Sequence, residues 1–517
     1  MRWTNGAGQR ERRPDEVRSA PPTGASPRTM APVRRRFLLP LTLLTAAVLA
    51  GLQAQRTDQV AGDWELRPGT EPLRADTPLL SIRRIPEFLQ APTADRRLRE
   101  AVGGPMAELA EGTCLSVVEH GRQLVSIDVD APMVPASAQK LLTGLAVLRH
   151  LGPDGVLKTR VLADRTPVDG VVDGDLWLVG GGDPLLMTTP YATRFDDPAP
   201  YTDLSVLADA VANAGVEVVE GAVVGDESRY DPVRYLSSWH KRFKPGYRIQ
   251  SGPLSALSVD DGFVNWDETN TAASLSVPAD DPAELAASLF DDLLEERGIV
   301  IRRRADSGMV PVASPAVTLA EIPSPTMSAI VEQMLVESDN TTAELLVKEL
   351  GAVEDGEGTT ARGLGVLEDL LAEAGHPMDG VVPHDGSGLD DDNRVTCRLL
   401  TSLLEDREHG TVLVEALPAA GDRGTMKKRF VGTAGEGRVR AKTGTLNNVV
   451  SLAGVVDTAG GRRLSFALIT NGDLPEGTRD LHEAVVLSLL GHPAGPPTEI
   501  LGPRLAVDPL GASTSGG

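Results

Sequence analysis

The spacing of apolar and polar positions changes several times along the chain, and each change marks a part. Leu141, Leu142, Leu145 and Leu148 fall at helical spacing, so the stretch behind Pro135 reads as a buried helix, with Pro135 marking its start. Just before it, residues 114–118, a Glu119-His120-Gly121-Arg122 turn and residues 123–127 read as a β-hairpin. From about 158 to 310 short strands, such as 174–179, alternate with Gly/Asp/Pro turns and two amphipathic helical stretches near 203–215 and 283–296. That block reads as a module inserted into a surrounding domain. Helical patterning returns over 325–350, broken at 337–340, and again over 362–375 and 394–404, with a turn-rich stretch at 384–389 between the last two. Strands follow at 437–442, 448–456 and 464–470, and a helix at 478–490 closes the domain. Two N-terminal strands and three C-terminal ones make one antiparallel sheet, with the helices packed on it.

The ends read differently. Residues 1–29 are rich in Arg, Pro, Ser and Gly without apolar periodicity, which predicts disorder. Met30-Ala31-Pro32-Val33-Arg34-Arg35-Arg36 and the apolar run 37–52 then describe a Sec-type signal over 30–55, either cleaved or kept as a signal anchor. The run is short for a membrane-spanning helix. Either outcome places the rest of the chain outside the cytoplasm. Residues 56–95 are polar and Pro-punctuated and read as a linker, and 496–517 as a disordered tail.

At 517 residues the chain is long enough for two or more domains, and its net charge of −23 argues against nucleic acid as a partner. Two cysteines, Cys114 and Cys397, exclude a disulfide-dense scaffold and any cysteine-based zinc cluster. Export leaves two readings open, one bridge between distant segments or a pair of buried thiols. The eight histidines form no paired ligand pattern, so no metal and no cofactor is expected. Gly180-Gly181-Gly182-Asp183-Pro184 lacks the lysine of a phosphate loop and reads as a turn.

Ser137 in the first turn of the 135–148 helix has Lys140 on the same face one turn later, which makes a nucleophile and its base. Ser-x-x-Lys arises about once by chance in a chain of this length, so alone it also reads as a solvated helix end. Two further clusters follow in order: Ser338-Asp339-Asn340 at the break between two helices, and Lys442-Thr443-Gly444 at a strand end. Separately these read as an interhelical turn and a strand end; together, in this order, they read as one catalytic site. Ser387 in Asp385-Gly386-Ser387-Gly388 is not in a nucleophile elbow and reads as structural, with Asp385 a turn former.

The ordered trio is the one shared by penicillin-binding proteins and class A β-lactamases. More particularly the chain resembles the penicillin-binding D-alanyl-D-alanine carboxypeptidase/endopeptidase family, peptidase family S13, of the class C low-molecular-mass type. Pro135-Ala136-Ser137, Gly182-Asp183-Pro184-Leu185, Asp385-Gly386-Ser387-Gly388-Leu389 with Asn393-Arg394, and Leu417-Pro418-Ala419-Ala420-Gly421 carry the resemblance, over roughly 80–495. Ser338 follows Ser137 by 201 positions, where the family places its large insertion. Asp390-Asp391-Asp392 departs from the Ser-Arg pair that relatives often have there.

The resemblance implies an α+β fold of the transpeptidase/β-lactamase-like kind: a five-stranded antiparallel sheet flanked by helices and interrupted by the inserted module. The DD-peptidase domain then spans 96–157 and 311–495, with the insertion at 158–310. It implies a serine-type carboxypeptidase or endopeptidase acting on peptidoglycan peptides ending in D-Ala-D-Ala, with β-lactams as covalent inhibitors. Ser137 is the expected nucleophile and Lys140 its base, with a pKa lowered by burial and by Lys442. Ser338 relays a proton to the leaving amine, and Asn340 holds Lys140 and the substrate amide. Lys442, Thr443 and Thr445 bind the terminal carboxylate, Gly444 lets the substrate strand approach, and the backbone N–H groups of Ser137 and Thr445 form the oxyanion hole. Two other readings stand beside it. One is a serine β-lactamase or esterase on the same scaffold, against which no Glu-x-x-Leu-Asn segment lies between Ser338 and Lys442. The other is a non-catalytic wall-binding protein.

Overall fold

The computed structural model describes residues 87–493 apart from 196–198, 269, 271–272 and 312–315. The expected N-terminal extension, signal segment and tail lie outside the described residues. Helix α1 (Glu87–Met106) overlaps the expected linker at 56–95. The correction has a packing cause: Leu98 and Val102, one turn apart, are buried in one cluster with Leu115 and Phe466 of the sheet, which outweighs the local effect of Pro92. Strands β1 (Thr113–Glu119) and β2 (Arg122–Ile127) form the expected hairpin. His120 and Gly121 join them, both with positive φ (47° and 76°), as a two-residue hairpin turn requires. A 3-10 turn, Ala136–Gln139, then leads directly into helix α2 (Lys140–Leu151).

The insertion has its own mixed sheet. Strands β3 (Lys158–Ala163) and β4 (Leu176–Val179) are antiparallel, helix α3 (Leu204–Asn213) follows, and strand β5 (Val223–Asp226) runs parallel to β4. Helix α4 (Pro282–Glu295) precedes the two-residue strand β6 (Asp306–Ser307), parallel to β5, and strand β7 (Val317–Pro323) returns antiparallel to β3. Leu207, Val211 and Phe290 of the two helices pack on Val161, Leu178 and Val223 of this sheet. The expected boundary at 310 therefore falls inside one sheet, because β7 at 317–323 hydrogen-bonds with β3 at 158–163.

Helices α5 (Met327–Glu337) and α6 (Asn340–Asp355) flank the predicted break, and α7 (Thr360–Glu373) follows. Helix α8 (Cys397–Leu404) begins three residues after the predicted 394, because Thr396 caps it by accepting the Leu399 N–H at 3.1 Å. Strands β8 (Val439–Leu446), β9 (Val449–Asp457) and β10 (Arg463–Asn471) precede helix α9 (Thr478–Leu489). The main sheet has the order β8-β9-β10-β1-β2, antiparallel throughout. Every residue of β1 is buried. Leu115 and Val117 face α1 and α9, and Ser116 on the other face lies 2.9 Å from Thr401 of α8. Cys114 of β1 is bonded to Cys397 of α8, joining sheet and helix across 283 positions. Lys442-Thr443-Gly444 lies within β8 and not at its end, since the strand runs on to Leu446, where Asn447-Asn448 supplies a two-residue turn into β9.

Candidate active site

Ser137 sits on the 3-10 turn and not in the first turn of α2 as the periodicity predicts. Ala136 before it has φ +48°, a region that costs an L-residue about 1–3 kcal/mol and persists only where its surroundings hold it. Gly388 does the holding: a Cβ there would lie 1.9 Å from the Ala136 carbonyl oxygen. The rest of the turn is buried, leaving Ser137 partly exposed above Lys140, whose side chain is fully buried.

Lys140 Nζ has three partners: Asn340 Oδ1 at 2.7 Å, the Ser387 carbonyl at 2.7 Å and Ser137 Oγ at 3.3 Å. Burial lowers its pKa from 10.5 to about 8, against the opposing pull of Asp385, Glu344 and Asp339. The expected contribution of Lys442 falls on the other partner. Burial first, and the Lys140 charge second, push Lys442 well below the usual lysine range.

Ser338 ends α5 in the left-handed conformation (φ 61°), and Asp339 caps α6 by accepting the Thr342 N–H at 3.1 Å. That corner aims Ser338 at Lys442, whose Nζ donates to Ser338 Oγ at 2.8 Å and to the Thr443 carbonyl at 2.7 Å. Asn340 starts α6 and spans the site, its Oδ1 accepting from Lys140 and its Nδ2 donating to the Gln250 carbonyl at 2.6 Å. The two contacts together fix which way the amide points.

Strand β8 forms the opposite wall. A Cβ on Gly444 would come within 2.9 Å of the Ser137 nitrogen and 2.2 Å of Ser451 Oγ, which donates to the Pro135 carbonyl at 2.7 Å. Only glycine lets strand and nucleophile turn approach this closely. Ser137, Ser338, Asn340, Thr443, Gly444 and Thr445 all line one cavity of about 900 Å³. Among the described residues no group of three or more His, Cys, Asp or Glu could hold a metal ion.

Sequence reasoning missed the third wall. Asp385 accepts from Gly388 N–H (2.7 Å), Asp390 N–H (2.7 Å), Asn393 Nδ2 (2.8 Å) and Trp239 Nε1 (2.9 Å), so it forms the turn but does so fully buried, within electrostatic reach of Lys140. Of the aspartate run, Asp390 is buried and Asp391 and Asp392 are exposed. Trp239 and Gln250 come from the insertion, and nothing local in the sequence marks either. Glu344 had a signal: it is an acidic residue four positions after Asn340, on the same helical face.

The chain matches the model of the D-Ala-D-Ala carboxypeptidase 3 (S13) family over residues 97–276 and 266–489. It is 29% identical over 500 residues to a D-alanyl-D-alanine carboxypeptidase of Actinomadura sp. (strain R39), covering 82% of this chain and 88% of that protein. It is 31% identical over 460 residues to carboxypeptidase DacB of Mycolicibacterium smegmatis, covering 85% and 92%. Among solved structures, penicillin-binding protein 4 (DacB) from Haemophilus influenzae superposes with a TM-score of 0.60 at 20% identity, covering 75% of this chain and 98% of that one. The same protein complexed with a β-lactam gives 0.56.

Proposed function

We propose that this chain, which belongs to the D-Ala-D-Ala carboxypeptidase 3 (S13) family, is a serine-type D-Ala-D-Ala carboxypeptidase that works through an acyl-enzyme on Ser137. The observation that carries the reading is the environment of Lys140. A neutral amine has two N–H donors and one lone pair. The Asn340 and Ser387 oxygens take the two donors at 2.7 Å each, which leaves the lone pair for the Ser137 hydroxyl at 3.3 Å.

Ser137 Oγ attacks the carbonyl of the penultimate D-Ala while its proton passes to Lys140. Negative charge developing on the carbonyl oxygen meets the backbone N–H groups of Ser137 and Thr445, both at the cavity wall. The proton that Lys140 took from Ser137 is relayed through the Ser338 hydroxyl, itself hydrogen-bonded to Lys442, to the departing amine, which leaves Lys140 a free amine again. Thr443 and Thr445 at the cavity wall receive the substrate's terminal carboxylate, whose charge draws the buried Lys442 back to its protonated form. Water then attacks the acyl-enzyme with Lys140 again as base. Carboxypeptidase and endopeptidase reactions cut after the same D-Ala and differ only on the leaving side, so one set of residues serves both. A β-lactam presents its strained amide where the peptide amide would lie, and the complex of the Haemophilus influenzae protein with a β-lactam supports β-lactams as inhibitors here. The Cys114–Cys397 bridge supports an oxidising, extracytoplasmic location.

The test is labelling with a fluorescent penicillin, wild type beside Ser137→Ala, together with D-alanine release from an acyl-D-Ala-D-Ala peptide. A covalent band and D-alanine release that both vanish in the variant are expected. Absence of both from the wild type would sink the acyl-enzyme reading and leave wall binding as the account.

A further inference from the structure

One carboxyl group beside the base has no part in this scheme. Glu344 lies one helical turn after Asn340 on α6, completely buried. Its Oε1 accepts the N–H groups of Gly386 at 3.1 Å and Ser387 at 2.8 Å. The other side of that short stretch faces the nucleophile turn and α2: the Asp385 carbonyl accepts from Gln139 Nε2 of the turn (3.2 Å), the Gly386 carbonyl from Thr143 Oγ1 (2.8 Å) and the Ser387 carbonyl from Lys140 Nζ (2.7 Å) of the helix. Residues 385–387 are thus a slab between Gln139–Thr143 on one side and α6 on the other, with their carbonyls toward the former and the Gly386 and Ser387 N–H groups toward Glu344. The slab cannot thicken. A Cβ on Gly386 would come within 2.5 Å of the Val347 side chain, and one on Gly388 within 1.9 Å of the Ala136 carbonyl. Glu344 Oε2 has no hydrogen-bond partner among the described residues. A fully buried carboxyl group is a costly brace for a loop. What it offers beyond an amide or an apolar side chain is charge next to Lys140.

We infer that Glu344 is a positioning residue for acyl transfer: it clamps the Gly386–Ser387 peptide so that the Ser387 carbonyl holds Lys140 toward Ser137, and its charge sets how readily Lys140 gives up its proton. The charged and titratable groups around the pair are Asp385 from the loop, Asp339 from the α6 cap and Lys442 from β8, besides Lys140 itself from α2. Burial first and Asp385 second push Glu344 up to about 8, the range to which burial lowers Lys140, so the carboxyl changes its charge over the same pH interval as the base. An ionised Glu344 favours the Lys140 ammonium. That charge is present near and above pH 8; removing it favours the free amine, so the acylation profile reaches its plateau at lower pH.

The inference rests on the Ser137–Lys140 reading, and wild-type acylation at Ser137 is the control that separates the two. If the wild type does not acylate, the functional reading fails; if it does, the variants speak to Glu344 alone. The experiment is the second-order acylation rate by a fluorescent penicillin as a function of pH for wild type, Glu344→Gln and Glu344→Ala, with thermal unfolding of each. The glutamine oxygen can still accept both N–H groups, so Glu344→Gln is expected to keep its fold and to reach the plateau of the profile at a pH lower by about half a unit or more. Glu344→Ala frees the slab and is expected to lower the maximal rate by about tenfold or more. A Glu344→Gln profile superimposable on wild type, or a uniform fall at every pH that merely follows lost stability, overturns the inference. Should Glu344→Gln not fold, ¹³C titration of the wild-type carboxyl groups decides. A carboxyl that ionises over the pH range in which Lys140 deprotonates is expected, and a Glu344 that stays protonated throughout overturns the inference.

Discussion

The sharpest consequence concerns the proton on Lys140. Its side chain is fully buried and its pKa falls from 10.5 to about 8, so at pH 7 about one molecule in ten carries the free amine; an ordinary lysine would reach about one in three thousand. Burial thus supplies about a three-hundredfold gain in usable base at neutral pH. The acylation rate is accordingly expected to climb nearly tenfold per unit between about pH 6 and 7.5 and to level off above about 8. Lys140→Met keeps the volume and the apolar stem but removes the lone pair, and is expected to lower acylation by about 10²–10⁴-fold. Lys140→Arg should not rescue it, because a guanidinium does not deprotonate in this range. Both variants can be followed by rapid-quench labelling with a fluorescent penicillin, scored as the second-order rate across the pH series. A rate flat from pH 6 to 8, or a methionine variant within about threefold of wild type, would refute Lys140 as the base.

Three further outcomes can be checked on the same protein. His482 is buried with Nε2 2.9 Å from Thr470 Oγ1, and burial lowers its pKa from 6.5 to about 3. The unfolded chain therefore binds the extra proton over that window, and a few kcal/mol of stability should be lost as pH falls from about 6.5 toward 3; melting curves of His482→Asn should show a shallower acid slope. Opening the Cys114–Cys397 bridge releases a loop of 283 positions, worth about 5.6 kcal/mol in the chain-entropy model, so a double alanine variant should melt well below wild type while non-reducing peptide mapping finds one bridged peptide in the parent. Gly388→Ala meets both a φ of +86° and a Cβ 1.9 Å from the Ala136 carbonyl, and should lower both the melting temperature and the acylation rate; wild-type values of both would show that this loop is not the wall of the Lys140 pocket.

By itself the sequence determined the order of the chemistry and the kind of scaffold that carries it. Ser137 and Lys140 ahead of a leucine-spaced helix, Ser338-Asp339-Asn340 at a helix break, and Lys442-Thr443-Gly444 among β-branched strands are local patterns. They depend on residues within a turn or two of each other, which is where periodicity, caps and turn residues act. The five strands of the main sheet and the break between α5 and α6 were legible for the same reason. Local reasoning failed where a distant partner decides. Pro92 made α1 look like a linker until Leu98 and Val102 found the sheet, and the insertion was cut short because β7 belongs with a strand on its far side. The tertiary structure alone decided that Cys114 meets Cys397, that Trp239 reaches Asp385 across 146 positions and that Gln250 holds Asn340. It also decided the protonation of Lys140, because burial, which only packing supplies, lowers its pKa against the opposing pull of Asp385, Glu344 and Asp339.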